Sequence, residues 1–366
     1  HQRRLAADAV HGPELHVVVV SGGEGASLAA TTGSLEAQTW PTWRVDVVED
    51  LALAAEAMGA DGGGGDDLVV LAEAGDVFRP DFVFQVVDRA WTQPESQLVH
   101  WDDDVAGSDP RFRPSWSPDM LLSANPLGRS FAVRRGALDA AGGLDASLGD
   151  DACWDVLLRL DPPAANVARV AEVLCSLARR TPQAGPHALR LTDAALARRG
   201  VPATMSRTPS GLRVDWAPEE WPSVTVVIPT RHNRALIGPC LQSIERSDYD
   251  DLEVVVVDNG SREAGNEAWY EAFDLDLSVV WWDRPFNYSA VNNEGARRAR
   301  GEVLVFLNDD TLVLDPQWLR ELVGWATTPG VGTVGVQLLD PEGRIQHGGV
   351  VMGIRGLADH VFAGMD

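Results

Sequence analysis

Asn308, Asp309 and Asp310 follow directly on an apolar run, Val303-Leu304-Val305-Phe306-Leu307. Carboxylates placed there could ligate a hard divalent cation together with the oxygens of a phosphorylated substrate. Turning the chain and capping the next element is the other job that Asn and Asp do in such places. A second acidic stop, Asp258-Asn259-Gly260-Ser261, ends the run Leu252–Val257, and Pro229-Thr230-Arg231 ends Val224–Ile228. Open α/β sheets bind ligands in the crevice outside the carboxyl ends of their strands, so these three stops are candidate site positions.

The elements that must hold them follow from periodicity. Val303–Leu307, rich in β-branched and aromatic residues, reads as a strand buried on both faces. Gly301 is placed to stop the predicted helix of about 288–299. Helices are predicted over about 235–245 and, in the first half, within 24–35 and over 52–58 and 154–160. Predicted strands are 15–20, 44–48, 68–71, 98–101 and 130–135, and 167–177 is expected to end the domain. Asp102-Asp103-Asp104 is expected to follow the fourth of these, and 109–119 to be a Pro-rich loop. Strands alternating with helices at this spacing imply βαβ units and a mostly parallel sheet. His1–Glu14 is expected to be a loop or helix remnant, and Gly62–Gly65 a turn.

Composition sets outer bounds. A chain of 366 residues suggests two domains. A formal net charge of −24 argues against nucleic acid and against an anionic membrane surface. There is no lysine, so every cation other than His is Arg. Cys153, Cys175 and Cys240 show no metal-ligand spacing, which points to a reducing compartment. No apolar run approaches membrane-spanning length, and no signal peptide precedes the first strand. The chain starts at His1 and stops at Asp366 without a closing helix, and is expected to be a fragment.

The halves echo each other. Val17–Gly23 answers Val224–Thr230, Val45–Asp50 answers Val254–Asn259, and Leu68–Pro80 answers Val303–Pro316, with Phe82 opposite Trp318. Agreement over three strands favours a duplication. The expected division is 1–180, a connecting helix and Pro-containing linker over 181–221, and 222–366.

Four segments carry a resemblance: SVTVVIPTRHNRALIGPCLQSI (223–244), VVVVDNGS (254–261), FNYSAVNNEGARRARGEVLVFLNDDTLVLDPQWL (286–319) and RIQHGGVVMG (344–353). Together they resemble family 2 glycosyltransferases of the GT-A fold. The first half looks like a more divergent copy, carried by DPRFRPSWSPDMLLSANPLG (109–128) and RRGALDAAGGLD (134–145). The fold so implied is α/β, two tandem GT-A-like domains with mostly parallel sheets, the second incomplete.

The resemblance implies a nucleotide-sugar donor, a glycan or lipid-linked glycan acceptor, Mn²⁺ or Mg²⁺, and inverting transfer in surface polysaccharide synthesis. Asp309 and Asp310 match the family's DxD-type element, with Asn308 in its first place and Asp310 as the metal ligand. Asp258 matches the acid that bonds the base; Pro229, Thr230 and Arg231 line the same pocket. Asn287 and Asn293 belong to the nucleotide side, and Asn292 stands where the family has Arg. His347 and His360 are assigned no role. The catalytic base is expected beyond Asp366, which would leave this fragment inactive.

In the first half the metal carboxylate aligns with Ala74 or Gly75, one or two places from Asp76. The catalytic acid aligns with Cys153, near Asp150, Asp151 and Asp155, and the late metal-binding His with Ser176. That half is expected to keep the fold without metal-dependent catalysis. The expected location is the cytoplasm, with peripheral attachment at the inner membrane face as an option. The alternative function is a non-catalytic nucleotide-sugar or glycan-binding scaffold. A dehydrogenase is disfavoured because no GxGxxG follows either first strand. A nucleotidyltransferase is disfavoured because Pro229–Asn233 is not a Gly-rich basic loop.

Overall fold

The computed structural model describes residues 12–22, 27–59, 64–180, 184–209, 211–231, 233–260, 266–352, 358–360 and 363–365. The expectations for 1–11, Gly23, Gly62, Gly63, His232 and Ser261 lie outside the described residues. The chain divides into two compact units, His1–Gly200 with Thr204–Val214, and Val201–Ala203 with Asp215–Asp366. Each is described by itself.

Unit 1 is built on β1 (Leu15–Val20), β2 (Trp43–Val48), β3 (Leu68–Glu73), β4 (Val77–Phe78), β5 (Leu98–Val105), β6 (Ser108–Arg111), β7 (Phe131–Arg134) and β8 (Val167–Leu177). They form one sheet in the order β2-β1-β3-β7-β5-β8-β4, with β6 added beside β5. β1 pairs in parallel with β2 and β3, and β5 with β8. β7 runs antiparallel to β3 and β5, as do β4 to β8 and β6 to β5. The sheet of this unit is therefore mixed rather than mostly parallel. A short βαβ spacing signals parallel neighbours in sequence, but the β7 insertion between β3 and β5 is a tertiary event that periodicity does not report.

The core of unit 1 lies on the face covered by the helices Leu28–Glu36 and Phe82–Thr92, where Leu15, Val17, Val70, Phe82 and Trp101 pack together. The acids expected to follow the fourth strand are inside it. Asp102 and Asp103 are buried residues of β5, and Asp103 takes Arg111 at 2.6 Å and Arg113 at 2.5 Å. Ser130 donates a further hydrogen bond to Asp103. Burying two charges among apolar strands is tolerable only with such partners. Part of the Pro-rich stretch is likewise β6, held against β5 by these ion pairs.

The segment read as a linker is structured. The helix Ala188–Arg199 stops at Gly200, whose φ of 67° is the left-handed conformation that glycine adopts without penalty. Beyond it, β9 (Ala203–Thr208) and β10 (Gly211–Trp216) pair as a two-stranded sheet.

Unit 2 holds β11 (Val224–Thr230), β12 (Leu252–Asp258), β13 (Asp276–Trp281) and β14 (Val303–Phe306), in the order β13-β12-β11-β14, all parallel. All seven residues of β11 are buried, as a central parallel strand requires. β14 is different from its expectation. It is the outer strand, its exposure alternates, and Leu304 and Phe306 face outward, Phe306 being 52% exposed. Among the described residues only β11 pairs with it, so one side has nothing to bury against.

The start of β14 is pinned by polar contacts. Thr225 Oγ1 donates to Glu253 Oε2 at 2.6 Å and accepts from Gly301 N at 2.8 Å. Arg300 N also donates to Glu253 Oε2, at 2.8 Å. Gly301 does not act as the expected helix stop, because the helix Tyr288–Arg298 ends before it. Its lack of a side chain serves close approach: a Cβ there would stand 2.5 Å from Thr225 N. Gly295 does the same for the helix, where a Cβ would meet Val227 Cγ1 at 2.3 Å.

Candidate functional site

In unit 2, three adjacent parallel strands end together. The register pairs Thr230 of β11 with Asp258 of β12, and Val227 of β11 with Phe306 of β14. Leu307 N then donates to Val227 O at 3.0 Å, which carries the chain after β14 back beside β11. From there Asp309 Oδ2 accepts from Thr230 Oγ1 at 2.6 Å. Thr230, Asp258 and Asp309 thus occupy one edge of the sheet. Asp310, the next residue, is exposed, and Arg231 is exposed as well.

Asp258 is almost wholly buried at 1% exposure, and Tyr270 Oη donates to its Oδ2 at 3.0 Å. Burial first, and then the Asp258 carboxylate, push the Tyr270 phenol above its ordinary pKa, so it remains a donor. Asn259 holds the neighbouring loop by donating to Trp282 O at 2.8 Å and Arg284 O at 2.9 Å. Behind the acidic stop lies Cys240. Burial, with Asp309 and Asp310 adding to it, raises this thiol to about 12, which leaves it inert.

Asn287 does not reach outward alone. It caps the helix Tyr288–Arg298, its Oδ1 accepting from Ala290 N at 2.9 Å. Such a cap stabilises a helix by about 1 kcal/mol and satisfies one of its orphan N–H groups. Tyr288 Oη donates to Asn308 Oδ1 at 3.2 Å, tying the same helix to the acidic stop. Asn293 is exposed on that helix. Asn292 is turned inward: its Nδ2 donates to Tyr288 O at 2.9 Å, and its buried Oδ1 has no partner among the described residues. His347 is half-buried.

Among the described residues no group of three His, Cys, Asp or Glu side chains forms a preassembled cation site. Mg²⁺ and Mn²⁺ are commonly held by one or two carboxylates plus substrate phosphates rather than by an all-protein cage. An exposed Asp310 beside an Asp309 fixed by Thr230 fits that shared kind of site.

In unit 1 the acids near the end of β3 are engaged by guanidiniums. Asp76, 1% exposed, takes Arg129 through both of its oxygens, at 2.8 and 3.0 Å. It also accepts from Glu73 N and Ala178 N, each at 2.9 Å. Burial raises this carboxyl, against the pull of Arg129 and the two backbone donors. Arg179 bridges Glu73 and Asp150, with 2.6 Å to each. Cys153 is buried and raised to about 12 by that burial. Asp151 accepts from Gly185 N and His187 N, and Asp155 pairs with Arg159 one turn on. Ser176 Oγ accepts from Gly107 N at 2.7 Å.

Three features escaped the sequence. Tyr270 lies in a stretch with no motif, and only its aromatic neighbours Trp269 and Phe273 hinted at a buried platform. The Thr230–Asp309 bond spans 79 positions. The Arg129 and Arg179 ion pairs reach residues 53 and 106 positions away, beyond any local pattern.

Residues 225–349 match the model of glycosyl transferase family 2. The O-antigen biosynthesis protein RfbC of Myxococcus xanthus is 35% identical over 314 residues, 81% of this chain and 25% of its own length. The uncharacterized protein y4gI of Sinorhizobium fredii is 33% identical over 317 residues, 80% of this chain and 35% of its own. Both similarities are too long to lie in either unit alone. The chain spans about a quarter to a third of the length of these curated relatives. The solved structure of mannosyltransferase PcManGT from Pyrobaculum calidifontis, in complex with GDP-Man and Mn²⁺, is 30% identical over 40% of this chain and 42% of its own, with a TM-score of 0.30. That score is too low for the likeness to fix anything about this chain. Among the described residues no helix is long and apolar enough to cross a membrane.

Proposed function

We propose that unit 2, matched over residues 225–349 to glycosyl transferase family 2, binds a nucleotide-sugar and serves transfer of its sugar to a glycan hydroxyl in surface polysaccharide synthesis. The observation that carries this reading is the shared edge of β12, β11 and β14. A buried Asp258, a Thr230-fixed Asp309 and an exposed Asp310 stand there in order.

Each group has a task that its surroundings suit. Asp258, oriented by Tyr270, is read as the acceptor of a nucleobase N–H. The backbone of Pro229, Thr230 and Arg231 lines the base pocket. Asn287 and Asn293 stand on the nucleotide side, Asn287 as the cap that fixes the helix. Asp310 would hold Mn²⁺ or Mg²⁺, and Asp309 is kept from swinging by Thr230. Such an ion, when bound, neutralises the diphosphate leaving group and orients it. The need is acute in a chain of net charge −24, which otherwise repels a diphosphate. Transfer is read as inverting, with a carboxylate taking the acceptor proton.

The two units are read as tandem copies of one ancestor. Both share a parallel triplet, β2-β1-β3 in one and β12-β11-β14 in the other. A non-catalytic role suits unit 1, where Glu73, Asp76 and Asp150 are engaged by Arg side chains.

Calorimetric titration of UDP-, dTDP- and GDP-sugars, with and without Mn²⁺, tests the reading. One donor should bind only with the metal, and Asp310→Ala should abolish that binding. Equal binding by the mutant would sink the assignment.

A further inference from the structure

Where β1 and β3 of unit 1 end, the described residues surround a cavity of about 470 Å³. That lies within the about 300–1,000 Å³ of small-molecule sites. One part of its lining is apolar, from Val20, Leu51 and Leu71; another is charged, from Glu73, Asp150, Arg129 and Arg179. Arg129 is 5% exposed, and its Nε has no hydrogen-bond partner among the described residues. A buried donor without a partner is uncommon in a native fold and points to a group that completes it.

The charges decide what could enter. The two guanidiniums already face three carboxylates, those of Glu73, Asp76 and Asp150, at 2.6 to 2.8 Å. An incoming phosphate would therefore meet a net negative cluster on a chain of net charge −24. A divalent cation would have to displace bidentate Arg pairs from Glu73 and Asp76, and no three-ligand group stands ready among the described residues. A neutral ligand with many hydroxyls escapes both objections. Its O–H groups can donate to the remaining lone pairs of Glu73 and Asp150, and its oxygens can accept from Arg129. Its C–H face can lie on the apolar wall.

We infer that this cavity is a metal-independent binding site for a neutral saccharide, of the size of a mono- to disaccharide segment of a glycan. The site uses residues of unit 1 alone, so it stands apart from the donor reading of unit 2.

The test uses the full chain in EDTA. Galactose, mannose, N-acetylglucosamine, lactose and chitobiose are titrated by saturation-transfer NMR and calorimetry, with inorganic phosphate and UDP as competitors. At least one sugar should bind saturably without metal and resist both anions. Ala74→Phe, which fills the cavity, should weaken that binding at least about tenfold, the loss expected when a pocket contact is closed off. Asp150→Asn, at a partly exposed carboxylate, should weaken it a few-fold and settles the matter if Ala74→Phe fails to fold by circular dichroism. Asp310→Ala should leave it intact, which separates this site from that of unit 2. No binding of any of the five sugars, binding that needs Mn²⁺, displacement by phosphate, or indifference to the cavity variants would each overturn the inference.

Discussion

The two units treat the acids at the ends of β3 and β14 oppositely. In unit 1, Glu73 ends β3 and Asp76 follows it, and they are locked by Arg129 and Arg179, with Asp76 at 1% exposure. In unit 2, Asp309 and Asp310 follow β14; Asp309 is half-buried and held by Thr230, and Asp310 is exposed. The strands behind them differ in the same sense. β3 is paired on both sides, by β1 and β7, and is largely buried; β14 is paired, among the described residues, by β11 alone and shows Leu304 and Phe306 to solvent. A carboxylate that is satisfied by Arg contributes to fold and loses its freedom to take a cation. One that is left partly unsatisfied stays available for a ligand, as functional sites commonly trade stability for activity.

The largest expected effect sharpens this contrast on the unit 1 side. Asp76→Ala strips a buried guanidinium of its bidentate partner and should destabilise unit 1 by about 3–5 kcal/mol in urea unfolding. Metal-linked nucleotide binding by unit 2 should be unaffected in protein that is still folded. If Asp310→Ala instead gives the comparable loss of stability, the comparison is inverted.

Next comes a pH dependence confined to unit 1. His100 is buried, neither ring nitrogen has a partner among the described residues, and burial, with Arg169 and Arg113 adding to it, lowers its pKa from 6.5 to about 4. The unfolded chain then binds the extra proton first. Stability should be full above about pH 6.5 and fall as pH drops toward 4, by about 3 kcal/mol at the low end. Thermal melts of the wild type and His100→Leu across that window should diverge; parallel curves would remove His100 as the cause.

A smaller effect belongs to unit 2. Thr230→Val removes the hydrogen bond to Asp309 and should weaken Mn²⁺-dependent donor binding about tenfold, in line with a bond to a charged group. Unchanged affinity would mean that Asp309 needs no fixing. The smallest concerns the open edge. Phe306→Ser should change stability by less than about 0.5 kcal/mol, as for an exposed position, while lowering the fluorescence of a bound hydrophobic dye. A loss of several kcal/mol would show that Phe306 is covered in solution.

How far the sequence reached differs by level. The runs LHVVVV and VTVVIPT were legible as strands because β-branched residues recur in them, and the acidic stops after 252–257 and 303–307 were legible because polar residues end those apolar runs. Gly301 was misjudged: a glycine after a helix suggests a stop, yet what it serves is contact with Thr225, 76 positions earlier. Asp102 and Asp103 were expected outside the strand because isolated acids belong at the surface. Arg111, Arg113 and Ser130 overrule that, and their approach depends on β6 and β7 folding back.

The residues alone determined the kind of protein: alternating strands and helices, acidic strand ends, and a second half similar to glycosyl transferase family 2. Local pattern suffices there because propensity and polarity act over a few positions. Tertiary structure alone decided which acids are spent on guanidiniums and which face solvent. Charge pairing depends on the distance between groups brought together from far along the chain, and no spacing in the sequence encodes that distance.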